Sequence, residues 1–193
     1  MLSHKLSKYN IILASGSPRR QQFFKDLNLD FEIRLKEIEE IYPDNLKAEE
    51  ITNYLADLKS KPFDTELTSS DLLITSDTIV WFNNKALGKP KGFEEAFAML
   101  KKMSGKKHEV ITSISIKSKG FQRIFHDTTE VEFKNLTDDE IIYYIKNYKP
   151  FDKAGSYGIQ EWIGNIGITK INGSYFNVMG LPTHKLYEEL MKL

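Results

Sequence analysis

Short apolar runs alternate with stretches of helical periodicity in the first third of the chain. A strand is predicted at about 10–14, and a shorter one at about 31–33. Each is followed by residues whose apolar positions recur at the spacing of an amphipathic helix. The predicted inner faces are formed by Phe23, Phe24 and Leu27 in the first helix, and by Ala48, Ile51, Leu55 and Leu58 in the second. The order is therefore strand, helix, strand, helix.

The central third opens with an apolar run that a single carboxylate interrupts. Residues 72–75 predict a buried strand, and 79–82 continue it beyond Asp77. Asn83 and Asn84 are typical of a two-residue hairpin turn, so the chain is expected to return along the same strand.

The remainder predicts a helix, two long strands, a helix that opens with a capping box, a last strand and a last helix. These elements lie at about 93–103, 108–118, 121–133, 137–145, 166–171 and from Thr183 onward. Helices alternate with strands, but the hairpins require antiparallel pairs. The sequence thus predicts an α/β fold, a single domain over 1–193 with a twisted mixed β-sheet flanked by helices.

Composition narrows the class of protein. At 193 residues one compact domain is expected, and 27 Lys and Arg balance 27 Asp and Glu, which argues against a general nucleic-acid or membrane-surface binder. There is no cysteine, and the 4 histidines lack metal-ligand spacing. No apolar run reaches transmembrane length, and residues 1–8 are too polar for a signal peptide. We expect a cytoplasmic protein with no nucleic-acid and no membrane partner.

The most informative motif, SGSPRR at 15–20, follows the first predicted strand. Ser17 suits the N-cap of the following helix, and Pro18 suits its first position. The N–H groups that open a helix favour anions, and Arg19 and Arg20 add fork-shaped donors matched to phosphate oxygens. The motif predicts a phosphate site. The alternative is a capped helix with two solvated arginines.

Asp77 is the second candidate, because it lies within an apolar run as part of Ser76-Asp77-Thr78. Burying a carboxylate inside a strand is costly unless it is paired or binds a metal. The functional interpretation is a ligand of a divalent cation, or a group that takes a proton from water. The alternative is a bulge or strand end where the aspartate is solvated.

Two further segments carry weaker signals. In LGKP at 87–90, Gly88 permits a close backbone approach and Pro90 stiffens the turn that presents Lys89. In KAGSYGIQ at 153–160, two glycines suit a loop that wraps a ligand, although the spacing matches neither a Walker A loop nor a dinucleotide fingerprint.

Two charged residues have ordinary local interpretations. Glu40 ends a short acidic run, for which a solvated surface is the default. Lys59 lies at the edge of the apolar face of its helix, where its stem can cover apolar surface while the ammonium reaches water.

Taken together and in this order, the segments resemble the Maf family of nucleoside triphosphate pyrophosphatases. The matching segments are 13–20, 76–78 with 88–90, 100–110, 153–160, and 173–174 with 177–182. The resemblance spans about 10–183, nearly the whole chain. It implies a Maf/ITPase-like fold with a central active-site cleft, and a homodimer.

The resemblance also implies an activity, the hydrolysis of a nucleoside triphosphate between the α and β phosphates to give the monophosphate and pyrophosphate. A divalent metal cation, Mg²⁺ or Mn²⁺, is implied at Glu40 and Asp77, with Asp77 also the general base. The implied substrate-binding residues are Ser15, Arg19, Arg20, Lys59, Thr78, Lys89 and Gln160. Arg19, Thr78 and Gln160 match the branch that acts on dTTP and UTP, whereas the 7-methyl-GTP branch carries a bulky residue in place of Arg19. The implied role is house-cleaning of the nucleotide pool.

Three positions depart from the family pattern: Ser76 where alanine is commoner, Glu39 where aspartate is frequent, and Glu161 where glycine is usual. None removes a catalytic position, but Glu161 bears on the base pocket and therefore on substrate breadth. Two alternatives remain, a pyrophosphatase for purine or modified nucleotides such as 7-methyl-GTP, and a nucleotide-binding regulator of cell division with little turnover. Whether Asp77 acts as base, metal ligand or both is open.

Overall fold

The computed structural model describes residues 2–193 and contains, within that range, eight α-helices and seven strands. The helices are α1 (Leu2–Lys5), α2 (Pro18–Asp26), α3 (Glu49–Ser60), α4 (Phe93–Met103), α5 (Asp138–Tyr148), α6 (Trp162–Gly167), α7 (Tyr175–Val178) and α8 (Thr183–Leu190). The strands are β1 (Asn10–Leu13), β2 (Glu32–Ile33), β3 (Asp71–Phe82), β4 (Lys85–Leu87), β5 (Lys107–Ser118), β6 (Phe121–Phe133) and β7 (Ile168–Asn172). Within residues 2–193, every helix is too short or too polar to cross a membrane.

The strands form one mixed sheet. Its order is β2-β1-β3-β5-β6-β7, with β4 paired to β3. β1 runs parallel to β2 and to β3, whereas β3 with β4 and β6 with β7 are antiparallel pairs. Asn83 and Asn84 both have positive φ, 50° and 58°, as the predicted hairpin turn requires. The predicted α/β fold with a mixed sheet is confirmed.

The chain divides into two compact units. The first comprises Met1–Asp77, described from residue 2, together with Thr112–Asp127 and Gly180–Leu193. The second comprises Thr78–Ile111 and Thr128–Met179. The prediction of one domain over 1–193 stays a prediction, and Met1 lies outside the described residues.

Each unit has an apolar core that contains some of the predicted positions. In the first unit the β1 and β3 side chains Ile12 and Leu73 pack with Phe63 and Leu67. In the second unit the inner face of α4 contributes Ala96, Leu100 and Met103, all fully buried, to a larger cluster. Helical spacing of apolar residues therefore marked the buried face of α4 correctly. In the first unit it was right for Phe23, Phe24, Ile51 and Leu55, whereas Leu58 is half-buried and Leu27 and Ala48 lie just outside their helices.

The capping box that opens α5 forms as predicted. The Thr137 hydroxyl accepts from the Glu140 N–H, and the Glu140 carboxylate accepts from the Thr137 N–H. Such a pair satisfies two donors that the first turn of a helix leaves without intrahelical partners. The box therefore fixes the start of a helix whose buried face, including Tyr144, joins the core of the second unit.

The end of the second unit differs from the sequence prediction. The strand expected from about 166 begins at Ile168, because the short helix α6 occupies the preceding residues. Its sequence, WIGNIG, is too short to show helical periodicity. Gly164 lets this helix pack on the backbone, since a Cβ there would lie 1.8 Å from the Ile159 carbonyl oxygen.

Candidate active site

The turn at 15–20 joins β1 to α2. Pro18 occupies the first helical position, as predicted, but the Ser17 side chain makes no capping hydrogen bond. Instead, the Ser17 N–H donates to Ser15 Oγ at 3.3 Å, and Gln21 Nε2 donates to the Ser15 carbonyl at 3.3 Å. The expectation that Ser17 caps α2 is thus right for position and wrong for the side chain. Ser15 is buried and supports the turn locally.

Arg20 braces two separate segments of the first unit. Its Nε donates to the Gly180 carbonyl at 2.9 Å, and Nη1 donates to the Ser76 carbonyl at 2.9 Å. Burial lowers the pKa of Arg20, and the nearby charge of Arg19 lowers it further, while Asp77 and Glu40 oppose the shift. The guanidinium therefore lies close to both predicted metal-binding carboxylates.

Arg19 differs from its neighbour. It is half-buried, and its Nε is buried without a hydrogen-bond partner among residues 2–193. A buried polar atom that lacks a partner is costly. Of the two arginines, Arg19 is therefore the one with a buried Nε–H that has no acceptor among residues 2–193.

Asp77 lies in the middle of β3 with 6% of its surface exposed. Lys59 Nζ, from the last turn of α3, lies 2.6 Å from Asp77 Oδ1 and 3.0 Å from Glu40 Oε1. The alternatives of a solvated Asp77 at a bulge and of a snorkelling Lys59 are therefore wrong. Glu40 remains half-exposed, with 47% of its side chain accessible, but it is paired rather than merely solvated.

Thr75 is a supporting residue that the sequence reasoning missed. It lies two positions before Asp77 on β3, so the two side chains share one face of the strand. The fully buried Thr75 hydroxyl donates to the Ala56 carbonyl at 2.6 Å, one turn before Lys59 on α3. This bond ties the helix that carries Lys59 to the strand that carries Asp77. A threonine in a strand is too common to have signalled this role.

The second unit holds the other predicted residues. Thr78 is half-buried, whereas Lys89 and Gln160 are exposed. The Gly155 N–H donates to the Gly88 carbonyl at 3.1 Å, which joins the 153–160 loop to the turn that presents Lys89. The two weaker motifs of the sequence are therefore neighbours in space.

Gly155 is required by the loop geometry. Its φ is +66°, and a Cβ there would lie 2.7 Å from Val80 Cγ2. The positive φ and the contact with β3 both exclude a larger side chain. The prediction that the glycines of this loop let it wrap a ligand stays a prediction.

Three residues around this loop, Lys153, Glu161 and Tyr144, also escaped the sequence reasoning as a group. Lys153 Nζ lies 2.7 Å from Asp152 Oδ1 and 3.1 Å from Glu161 Oε1. The Tyr144 hydroxyl donates to Glu161 Oε2 and accepts from the Gly158 N–H at 3.0 Å. The departure of Glu161 from the family pattern was the only sequence signal for this network.

A buried aromatic cluster lies beneath the same loop. His108 Nε2 and the Tyr157 hydroxyl are 2.7 Å apart, and both rings pack against Phe133. Burial lowers the pKa of His108 from 6.5 to about 4 and raises the pKa of Tyr157, so both side chains are neutral near pH 7. The cluster is a structural support for the loop.

Glu40 and Asp77 fit a divalent cation by the chemistry of their donors. Both carboxylates contact the same ammonium, so both have an oxygen within reach of one small cation. Mg²⁺ is commonly held by one or two carboxylates with the remaining oxygens supplied by phosphates and water. Among residues 2–193, no group of three or more His, Cys, Asp or Glu side chains is arranged as a metal site.

The first unit brings arginines, a lysine and two carboxylates close together. The comparisons then identify the family. The chain belongs to the Maf family, because the family model described as Maf-like protein matches residues 10–193. The predicted family is confirmed.

Two relatives agree with this assignment, and one solved structure shares the fold. The chain is similar to a dTTP/UTP pyrophosphatase of Flavobacterium johnsoniae, 64% identical over 193 residues and covering 100% of both chains. A protein of the same name from Flavobacterium psychrophilum is 62% identical over 191 residues, covering 99% of this chain and 98% of its own. The Staphylococcus aureus Ham1 protein is 17% identical with a TM-score of 0.50, covering 93% of this chain and 99% of that chain. The last likeness concerns the fold alone.

Proposed function

We propose that this protein hydrolyses dTTP and UTP to the monophosphate and pyrophosphate, as a house-cleaning enzyme of the nucleotide pool. The observation that supports this most is the contact of Lys59 with both Asp77 and Glu40, which places a buried carboxylate beside a cation and a second carboxylate. Relatives at 64% and 62% identity over the full length carry the name dTTP/UTP pyrophosphatase.

In this proposal Glu40 and Asp77 would hold a divalent cation, Mg²⁺ or Mn²⁺, which when bound supplies charge compensation at the phosphoryl oxygens. Lys59 keeps both carboxylates in place from the protein side. Arg20, already hydrogen-bonded to two carbonyls, contributes positive charge near them without having to reorganise.

Asp77 accepts the proton of the water that attacks the α phosphorus. The bond from that phosphorus to the oxygen bridging the β phosphate breaks, and pyrophosphate leaves with the bonding electrons. Arg19 and Lys89 donate to phosphate oxygens on which negative charge develops. Asp77 would therefore both help to hold the cation and accept the proton, since a carboxylate has two oxygens.

Gln160 recognises the base. Its side chain is exposed at the end of the 153–160 loop, and its amide can accept from uracil N3–H while donating to O4. The same amide turned over suits cytosine, so selectivity requires that the loop hold the residue in place. Ser15 and Thr78 are assigned to the substrate by family resemblance.

A panel of triphosphates with pyrophosphate detection tests the proposal. The panel contains dTTP, UTP, CTP, GTP, ATP and 7-methyl-GTP, each with Mg²⁺ and with Mn²⁺. We expect the largest kcat/KM for dTTP and UTP. A preference for GTP or 7-methyl-GTP would favour the purine or modified-nucleotide pyrophosphatase. Binding of UTP without release of pyrophosphate in either metal would favour the regulator of cell division.

The cytoplasmic location and the homodimer remain predictions. The first comes from composition and the second from family resemblance. The central active-site cleft implied by the resemblance also stays a prediction.

A further inference from the structure

A hydrogen-bonded chain of three side chains closes the loop that ends in Gln160. Lys153, with 9% of its surface exposed, pairs with Glu161 through Nζ and Oε1 at 3.1 Å. The other oxygen of Glu161 accepts from the Tyr144 hydroxyl, which in turn accepts from the Gly158 N–H at 3.0 Å. We name Lys153, Glu161 and Tyr144 the loop clasp.

The loop clasp connects the start of one short segment with its end. Lys153 begins the loop, Gly158 lies near its end and Glu161 directly follows Gln160. A backbone bond from the Glu161 N–H to the Gly158 carbonyl, 3.0 Å, tightens the same turn. Gln160 is therefore the exposed residue between two positions that the clasp holds.

Tyr144 anchors the loop clasp in the core. Its side chain is fully buried on α5, within the apolar cluster of the second unit. Burial, reinforced by the hydrogen bond to Glu161, raises the pKa of Tyr144, so the hydroxyl keeps its proton and remains a donor at neutral pH. A fixed donor in the core thus orients the Glu161 carboxylate.

Gly158 and Glu161 also fit each other sterically. A Cβ at Gly158 would lie 2.9 Å from Glu161 Cδ, closer than real Cβ contacts. The carboxylate therefore packs directly on the backbone of the loop. Contacts with Gly158, Lys153 and Tyr144 therefore fix the position of the Glu161 carboxylate.

We propose that the loop clasp sets the position of Gln160 and thereby the preference for uracil over cytosine, with Glu161 and Tyr144 as positioning residues. This inference rests on the proposed function, in which Gln160 reads the base. Hydrogen-bond readout discriminates strongly only when the wrong base leaves groups unpaired, and a loop that can shift re-pairs them. Substitutions that weaken the loop clasp therefore lower the preference for uracil over cytosine more than they lower turnover.

Two nearly isosteric variants, Tyr144→Phe and Glu161→Gln, test the proposal. Each is assayed for kcat and KM with UTP and with CTP. We expect the ratio of kcat/KM for UTP over CTP to fall about tenfold in each variant, mainly through KM, because a small misplacement of a recognition group costs at least that much. The double variant should fall no further than either single variant, since one chain of bonds is broken in all three.

Matched controls separate positioning from folding. Glu130→Gln removes an exposed ion pair of the same unit, with Lys107 at 3.0 Å, and should leave the ratio unchanged. Lys153→Arg retains the cation and should preserve most of the ratio, whereas Lys153→Met should lower it. Variants that lose stability and lower both activities in equal proportion, with an unchanged ratio, would overturn the proposal.

Measurements of equilibrium binding test the loop clasp separately from the proposed function. Calorimetry with α,β-methylene analogues of UTP and CTP needs no turnover. If the wild type hydrolyses no triphosphate, the proposed function fails, and the loop clasp is then decided by binding alone. A binding preference for the UTP analogue that falls about tenfold in Tyr144→Phe supports the clasp. A preference that the variant leaves intact, or that the wild type lacks, overturns it.

Discussion

Each unit of this protein contains a lysine that contacts two carboxylates, but the two clusters have different characters. In the first unit Lys59 contacts Asp77 at 2.6 Å and Glu40 at 3.0 Å. In the second, Lys153 contacts Asp152 at 2.7 Å and Glu161 at 3.1 Å. The charges and distances are nearly the same.

The difference lies in what else holds the less exposed carboxylate of each pair, Asp77 in the first unit and Glu161 in the second. Glu161 also accepts from the Tyr144 hydroxyl, which accepts from the backbone of the adjoining loop, so the second cluster closes on itself. Asp77 instead shares Lys59 with the half-exposed Glu40, on the irregular stretch between β2 and α3. Each lysine also contacts one solvent-facing carboxylate, since 47% of the Glu40 side chain and 68% of the Asp152 side chain are exposed. We therefore infer that the second cluster supports structure because the Tyr144 hydroxyl from the core completes it.

The largest expected effect is that of Asp77→Asn, which tests whether the first cluster, unlike the second, takes part in catalysis. We expect kcat with UTP to fall about 10²- to 10⁴-fold, because the amide cannot take the proton from water. Steady-state kinetics with pyrophosphate detection measure the change, with Glu130→Gln as the control. Turnover near the wild-type level would remove Asp77 as the base and make the first cluster as structural as the second.

The adjacent arginines sharpen the comparison within the first unit. Arg20→Ala should lower the free energy of unfolding by about 3–5 kcal/mol, because two charge-assisted bonds to buried carbonyls are lost. Arg19→Ala should change it by less than about 1 kcal/mol while kcat/KM for UTP falls about 100-fold. Denaturant unfolding and kinetics on both variants measure this division of roles. A melting transition lost in Arg19→Ala but kept in Arg20→Ala would reverse it.

The smallest expected effect is the loss of stability in acid that His108, in the second unit, causes. The pKa of His108 is about 4 in the folded protein, against 6.5 without burial. Between these values the unfolded chain binds a proton that the folded protein does not, so the free energy of unfolding falls as the pH falls from 6.5 to 4. The loss is about 3 kcal/mol, and above pH 6.5 this histidine contributes no pH dependence.

Urea unfolding at pH 7 and at pH 4 measures the effect of His108. His108→Gln should lose about 3 kcal/mol less than the wild type between these two pH values. His4→Gln, at an exposed position, should follow the wild type. Equal losses in wild type and His108→Gln would show that the histidine is not the acid-sensitive group.

Much of the fold followed from local patterns. The period of apolar positions located α4, and the Thr137–Glu140 box located the start of α5, because both depend on residues close in sequence. α6 did not follow, since its six residues are too few to show helical periodicity, and the close approach of Gly164 to Ile159 joins it to the preceding loop. The apolar run around Asp77 was correctly interpreted as one strand.

For the site, too, some residues could be selected from the sequence, whereas their contacts could not. Ordered motifs were enough to select Arg19, Asp77, Lys89 and Gln160 as candidates, because family resemblance depends only on residue identity and order. Residue identity did not indicate that Arg20 would bond two carbonyls, or that Thr75 would hold the helix of Lys59. Those bonds join residues that are distant in sequence, and so depend on how the chain packs.

By itself, then, the sequence determined the family, the α/β class and the chemical types present at the site. Only the tertiary structure decided that Lys59 pairs with both Glu40 and Asp77, and that Glu161 is bound by Lys153 and Tyr144. The reason is physical. A side chain carries its charge and its donors wherever it stands, but a buried charge is stabilised by the partners that folding brings within about 3 Å.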